Sequence, residues 1–176
     1  MARNSVTYVA LLRSVNVGGT GKLPMQDLKA LCVKLGFANV RTYIASGNAL
    51  FESTLKEVQV KQRLEKALAA YAGKPIAVLV RTAAEMTDIT AANPWQRHAP
   101  GRTVAIFLDE PPPADTASQA SGRKDELIAL GKREIYVYYG DGMADSRLRF
   151  AASRTGTSRN MNTVRKLAEL AAGFKS

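Results

Sequence analysis

One cysteine and one histidine leave this 176-residue chain little material for metal or thiol chemistry. Structural zinc sites draw four ligands largely from those two residue types, so no protein-built metal site is expected. A single cysteine also means that no disulfide forms within the chain. Cys32 sits among Leu31, Val33 and Leu35 at helical spacing and reads as a small core residue. His98 stands alone in the proline-bounded stretch Pro94–Pro100 and reads as a surface residue rather than a general base. Long apolar runs are missing too: none approaches the roughly 18 residues that span a bilayer, so no membrane partner is expected. Met-Ala-Arg-Asn-Ser passes directly into the short run Val9–Leu12 without a secretory signal core, which predicts a cytoplasmic protein. Acidic residues are the last shortage. Fifteen Asp and Glu against 25 Lys and Arg give a net charge of +10, which points to an anionic partner.

What is present predicts an α+β fold. Val6–Leu12 is β-branched, aromatic and nearly continuously apolar, as in a strand buried on both faces. A glycine-rich loop follows, then Pro24 at the start of a helix carrying Met25, Leu28, Leu31, Cys32 and Leu35 and ended by Gly36. Val40–Ile44 and Ala49–Phe51 flank the turn Ser46-Gly47-Asn48 as a hairpin. A helix begins near Leu55, with Glu57 and Lys61 spaced for an i,i+4 pair, and stops at Gly73-Lys74-Pro75 before a strand at Ile76–Val80. The order is βαββαβ, the ferredoxin-like arrangement. We therefore expect a ferredoxin-like first half (residues 1–81), a connecting segment (82–95) bearing a short helix near Ala83–Ala91, and a second, smaller α+β half (96–176) packed against the first. In that second half, Val104–Leu108 is a strand, Pro111-Pro112-Pro113 opens a weakly helical connection, and Glu126–Leu130 and Ile135–Tyr139 read as a hairpin, the first reading also as a helical turn. A terminal helix with the stripe Met161, Val164, Leu167, Ala168 and Ala171 closes a second β-α-β-β-α run.

Three segments combine small, polar and basic residues at the ends of these elements, where a ligand can be reached. The first holds Arg13, Asn16, Gly18, Gly19 and Lys22 between strand and helix. Glycines there let backbone N–H groups approach a phosphate. Neither G-x-x-x-x-G-K-[ST] nor G-x-G-x-x-G is met, however, so no cofactor is implied, and a plain connection with Lys22 solvated reads equally well. The second holds Ser46, Gly47 and Asn48, which are also ordinary turn residues. The third, Arg154–Thr163, opens the terminal helix; Thr157 or Ser158 would cap it, leaving Arg159, Asn160 and Thr163 beside its first N–H groups. From Ser146 onward seven basic residues face one acid, Glu169, a net +6. None of the three segments contains a carboxylate. Asp141 and Asp145 flank Gly142 and read as turn residues.

These motifs occur together in one order: Ala10-Leu-Leu-Arg13-Ser-Val-Asn16-Val-Gly-Gly19, Lys22-Leu-Pro-Met25, Thr42-Tyr-Ile-Ala-Ser-Gly-Asn48, Ser146-Arg-Leu148 and Ser158-Arg-Asn-Met-Asn-Thr163. In this the chain resembles the domain-of-unknown-function family numbered 1697, through nearly its whole length. It departs from the family pattern at Ser14, Ala45 and Met161, where Gly, Gln and Trp are usual, and between Leu148 and Thr157, where it is shorter. The resemblance implies a cytoplasmic, bacterial-type α+β protein and brings no established activity. Charge and motifs together predict a binding protein for a phosphate-bearing ligand, nucleic acid or nucleotide before free phosphate. An RNA-binding aromatic signature is missing, since Ala49-Leu-Phe51 does not supply it. The alternatives are an enzyme acting on a phosphorylated or carboxylated small molecule in a cleft between the halves, and an interaction module whose motif residues maintain turns and caps.

Overall fold

The computed structural model describes residues 4–15 and 22–174. They fall into two compact units, Met1–Thr87 with Leu167–Ser176, and Asp88–Lys166. The first unit contains β1 (Val6–Leu12), α1 (Met25–Lys34), β2 (Ala38–Thr42), β3 (Asn48–Ser53), α2 (Glu57–Ala72) and β4 (Val78–Thr82), followed by α3 (Ala83–Ala91), which crosses into the second unit. Its four strands form one antiparallel sheet in the order β2-β3-β1-β4.

Alternation along the central strand β1 accounts for the core. Tyr8, Ala10 and Leu12 share one face with Ala49, Phe51, Val78 and Val80, and pack under Leu28 and Cys32 of α1 and Val60, Leu64 and Leu68 of α2. Phe37 stacks on Phe51 with ring centroids 4.2 Å apart. Val9, Leu11, Leu50, Leu79 and Arg81, on the opposite face, are buried as well. Burial on both faces is why β1 reads as a continuous apolar run.

Local chemistry places the helix ends. Thr82 and Glu85 form a reciprocal box at the start of α3: the Thr82 N–H donates to Glu85 Oε1 (2.9 Å) and the Glu85 N–H to Thr82 Oγ1 (3.1 Å). Gly73, at φ +71°, ends α2 by donating its N–H to the Ala69 carbonyl at 2.9 Å. Lys61 meets Glu65 at 3.1 Å, and Glu65 accepts the Val78 N–H at 2.9 Å, which ties α2 to β4.

The second unit contains β5 (Thr103–Phe107), β6 (Leu127–Leu130), β7 (Glu134–Tyr138), β8 (Thr157–Asn160) and the start of α4 (Met161–Ala172). Its antiparallel sheet runs β6-β7-β5-β8. Val104, Ile106 and Leu108 pack with Ile135, Val137, Leu148 and Phe150 to form its core. Two expectations are corrected here. The segment after Pro111-Pro112-Pro113 is a chain of turns and not a helix, because Ala and Ser supply no apolar stripe to bury. Residues 157–160 form a strand and not the opening of the terminal helix: β8 completes the sheet on the free side of β5, with Ala105 opposite Arg159 and Phe107 opposite Thr157.

Candidate functional site

At the C-terminal end of β1 the backbone is held from two sides. The Leu12 N–H donates to the Gly47 carbonyl and the Arg13 N–H to the Ala77 carbonyl, both at 2.9 Å. Gly47 has φ +91°, and a Cβ there would stand 2.5 Å from Val15 Cγ2 and 3.0 Å from Leu12 Cβ. Only glycine permits both the dihedral and the approach. The turn is closed from within by Asn48, whose buried amide donates to the Tyr43 carbonyl at 2.9 Å and to Ser46 Oγ at 3.0 Å. Arg13, Ser46, Gly47 and Asn48 are thereby gathered at one end of the first sheet. Arg13 and Ser46 keep part of their surface in solvent, and Lys22 is exposed. The expected site residues Asn16, Gly18 and Gly19 lie outside the described residues.

Arg159, Asn160 and Thr163 belong to the second unit, where the helix start is built otherwise than expected. Thr157 and Ser158 lie within β8 and do not cap α4. The cap is Asn160, whose Oδ1 accepts the Thr163 N–H at 3.0 Å, the geometry of an N-cap bonded to the third helical residue. Arg159 is buried on the strand, and its guanidinium donates to Thr157 Oγ1 at 2.8 Å and to the Ser158 carbonyl at 3.0 Å. Burial disfavours the charged form and draws its pKa down to about 10. Arg159 is thus a desolvated side chain within the fold.

Cys32 is fully buried, and loss of solvent pushes its thiol up to about 12. His98 is exposed, its ring edge-on to Tyr138 with centroids 4.4 Å apart. A hollow of about 400 Å³ in the second unit, lined in part by Glu126, Tyr138, Tyr139, Asp141 and Ser146, was not foreseen. Glu126 there accepts the Ser146 hydroxyl and, at 2.6 Å, the Lys124 N–H. Those bonds, the serine's first, hold its carboxyl below the ordinary range. Ser146 opens the Ser146-Arg-Leu148 motif, yet 20 residues separate it from Glu126, so the pairing leaves no local signal. Asp141 pairs with Arg102. Among the described residues no group of three or more His, Cys, Asp or Glu side chains is placed to hold a metal ion, and no helix is long and apolar enough to cross a membrane.

Two four-stranded antiparallel sheets, with cationic and amide side chains at strand ends, turns and caps, define a two-unit α+β protein. The chain belongs to a family of proteins of unknown function, DUF1697, whose sequence model matches residues 6–136. Among solved structures it is similar to the conserved bacterial protein SP0830 from Streptococcus pneumoniae, with a TM-score of 0.79 and 24% identity over 96% of this chain and 99% of that one. At that identity the likeness is one of fold. None of the curated proteins matches.

Proposed function

We propose that this protein binds a phosphate-bearing ligand, a nucleotide or nucleic acid in preference to free phosphate, at the end of the first sheet around Arg13. The observation that carries the reading is the clamped end of β1. Backbone bonds to Gly47 and Ala77 fix Arg13 at its root while its side chain stays partly in solvent. A fixed strand end spares the backbone any ordering cost when the guanidinium meets a phosphate, which it matches with paired donors. The net charge of +10 favours the encounter. We read the first unit as a ferredoxin-like module, a reading supported by its βαββαβ order and its β2-β3-β1-β4 sheet.

The test is anisotropy of labelled single- and double-stranded DNA and RNA, with thermal melts against nucleotides and phosphosugars. If nucleic acid is the ligand, log affinity falls linearly with log salt. Arg13→Ala weakens binding by about tenfold to a hundredfold, the worth of a charge-assisted hydrogen bond. No binding of any of these at low salt refutes the proposal. Conversion of a bound phosphosugar or nucleotide by the purified protein would replace it with the enzyme reading.

A further inference from the structure

The outer sides of α1 and α2 meet in a groove of about 450 Å³ lined by Leu31, Lys34, Leu35, Ala67, Ala70 and Tyr71. Its floor is apolar. The two alanines leave room for a second helix to approach closely. Tyr71, 44% exposed, forms a wall, and its hydroxyl is fixed by donation to Asp27 Oδ2 at 2.6 Å. Lys34 supplies the one charge of its lining. Besides Lys34, exposed Arg63 and Lys66 each stand one helical turn before Ala67 and Ala70. Arg63 also lines an adjoining hollow of about 260 Å³ that shares Leu35 with the groove. The carboxylate at the groove's end, Asp27, is engaged by Tyr71.

We infer that this groove docks an acidic amphipathic helix of a partner protein, with its apolar stripe on Leu31, Leu35, Ala67 and Ala70 and its flanking carboxylates toward Lys34, Arg63 and Lys66. Helix-in-groove recognition needs an apolar channel and a rim of charge opposite to the ligand's, and both are present. Charge also discriminates among occupants. A second copy using the same face would set these three cations against their equals, a juxtaposition that suppresses association.

The probe is a synthetic helical peptide with leucines at i, i+3, i+4 and i+7 flanked by glutamates, alongside a twin carrying lysines at the glutamate positions. Amide shifts on the 176-residue protein are expected to map to α1 and α2 with the glutamate peptide only. Ala70→Glu, an exposed helical position whose melting should hold, weakens that binding at least tenfold. Lys34→Glu with Lys66→Glu transfers binding to the lysine peptide. Neither change affects the phosphate probes of the preceding section, so the two ideas fail separately. No shifts at millimolar peptide, equal binding of both peptides, or shifts centred elsewhere overturn the proposal. So does self-association of the wild type that Ala70→Glu abolishes, since a second copy would then be the occupant.

Discussion

Replacing Gly47 by alanine tests the closure of the turn onto β1, on which the placement of Arg13 depends. Two costs combine at this position. An L side chain in the left-handed region costs about 1–2 kcal/mol. The added methyl would also lie 2.5 Å from Val15 Cγ2 and 3.0 Å from Leu12 Cβ. The valine methyl can yield, but Leu12 is fully buried and its Cβ is fixed to the strand backbone. Overpacking of this kind costs roughly 1–3 kcal/mol, which makes the expected total about 2–5 kcal/mol. Gly73 supplies the control: it also has positive φ, +71°, but open space where its Cβ would go, so Gly73→Ala carries the dihedral cost alone. Urea denaturation of both variants, read as a shift in midpoint at unchanged slope, measures the difference. If Gly47→Ala costs no more than Gly73→Ala, the close approach is absent and the rigid presentation of Arg13 falls with it.

Three further outcomes follow from the second unit and the core. Asn160→Ala should cost about 1 kcal/mol in denaturant melts through loss of the α4 cap, while Asn160→Asp, which keeps the acceptor, should stay near wild type. Arg159→Ala should lower the melting temperature with or without phosphate ligands, by more than the ~0.5 kcal/mol of a surface change. Arg159→Met, which keeps the packing and removes a desolvated charge, should lower it less; a melt unchanged by Arg159→Ala would contradict the buried placement. Cys32 should resist thiol reagents at pH 8 until the protein unfolds, its thiolate fraction being about a thousandfold smaller at a pKa of about 12 than at the ordinary 9.0. Because the native state keeps this proton longer than the unfolded one, its contribution to stability is complete below pH 9 and declines as pH rises toward 12, which alkaline denaturation measures.

What could be read in advance depended on whether the cause was local. β1 was legible to the residue because burial on both faces leaves a continuous apolar run. The Ser46-Gly47-Asn48 turn was legible because its chemistry lies in its own residue types. β8 was not. Thr157-Ser-Arg-Asn160 has no apolar alternation, and its extended form comes from pairing with β5, some fifty residues earlier in the chain, as Val104 opposite Asn160 shows. Once β8 is a strand, the helix start moves to Asn160, and Arg159 passes from the helix end into the fold. One long-range pairing thus accounts for the shifted cap and for the burial of the arginine together.

The same distinction decides which motif residues remain for a ligand. An asparagine beside a glycine turn has the same sequence whether its amide meets a phosphate or its own backbone, and only the structure shows Asn48 bonded to Tyr43 and Ser46. Gly47 is engaged by steric fit, Asn160 and Thr163 by the cap, and Arg159 by Thr157 and Ser158. A side chain that spends its donors inside the fold must break those bonds to bind, at about the cost of the bond it would gain. Among the described residues expected to bind, Arg13, Lys22, Ser46 and Asn160 retain surface in solvent, Asn160 while it caps α4. Three of the four belong to the first unit, so ligand contacts of these motifs should concentrate there, and substitutions at Arg159, Asn160 and Thr163 should register as stability.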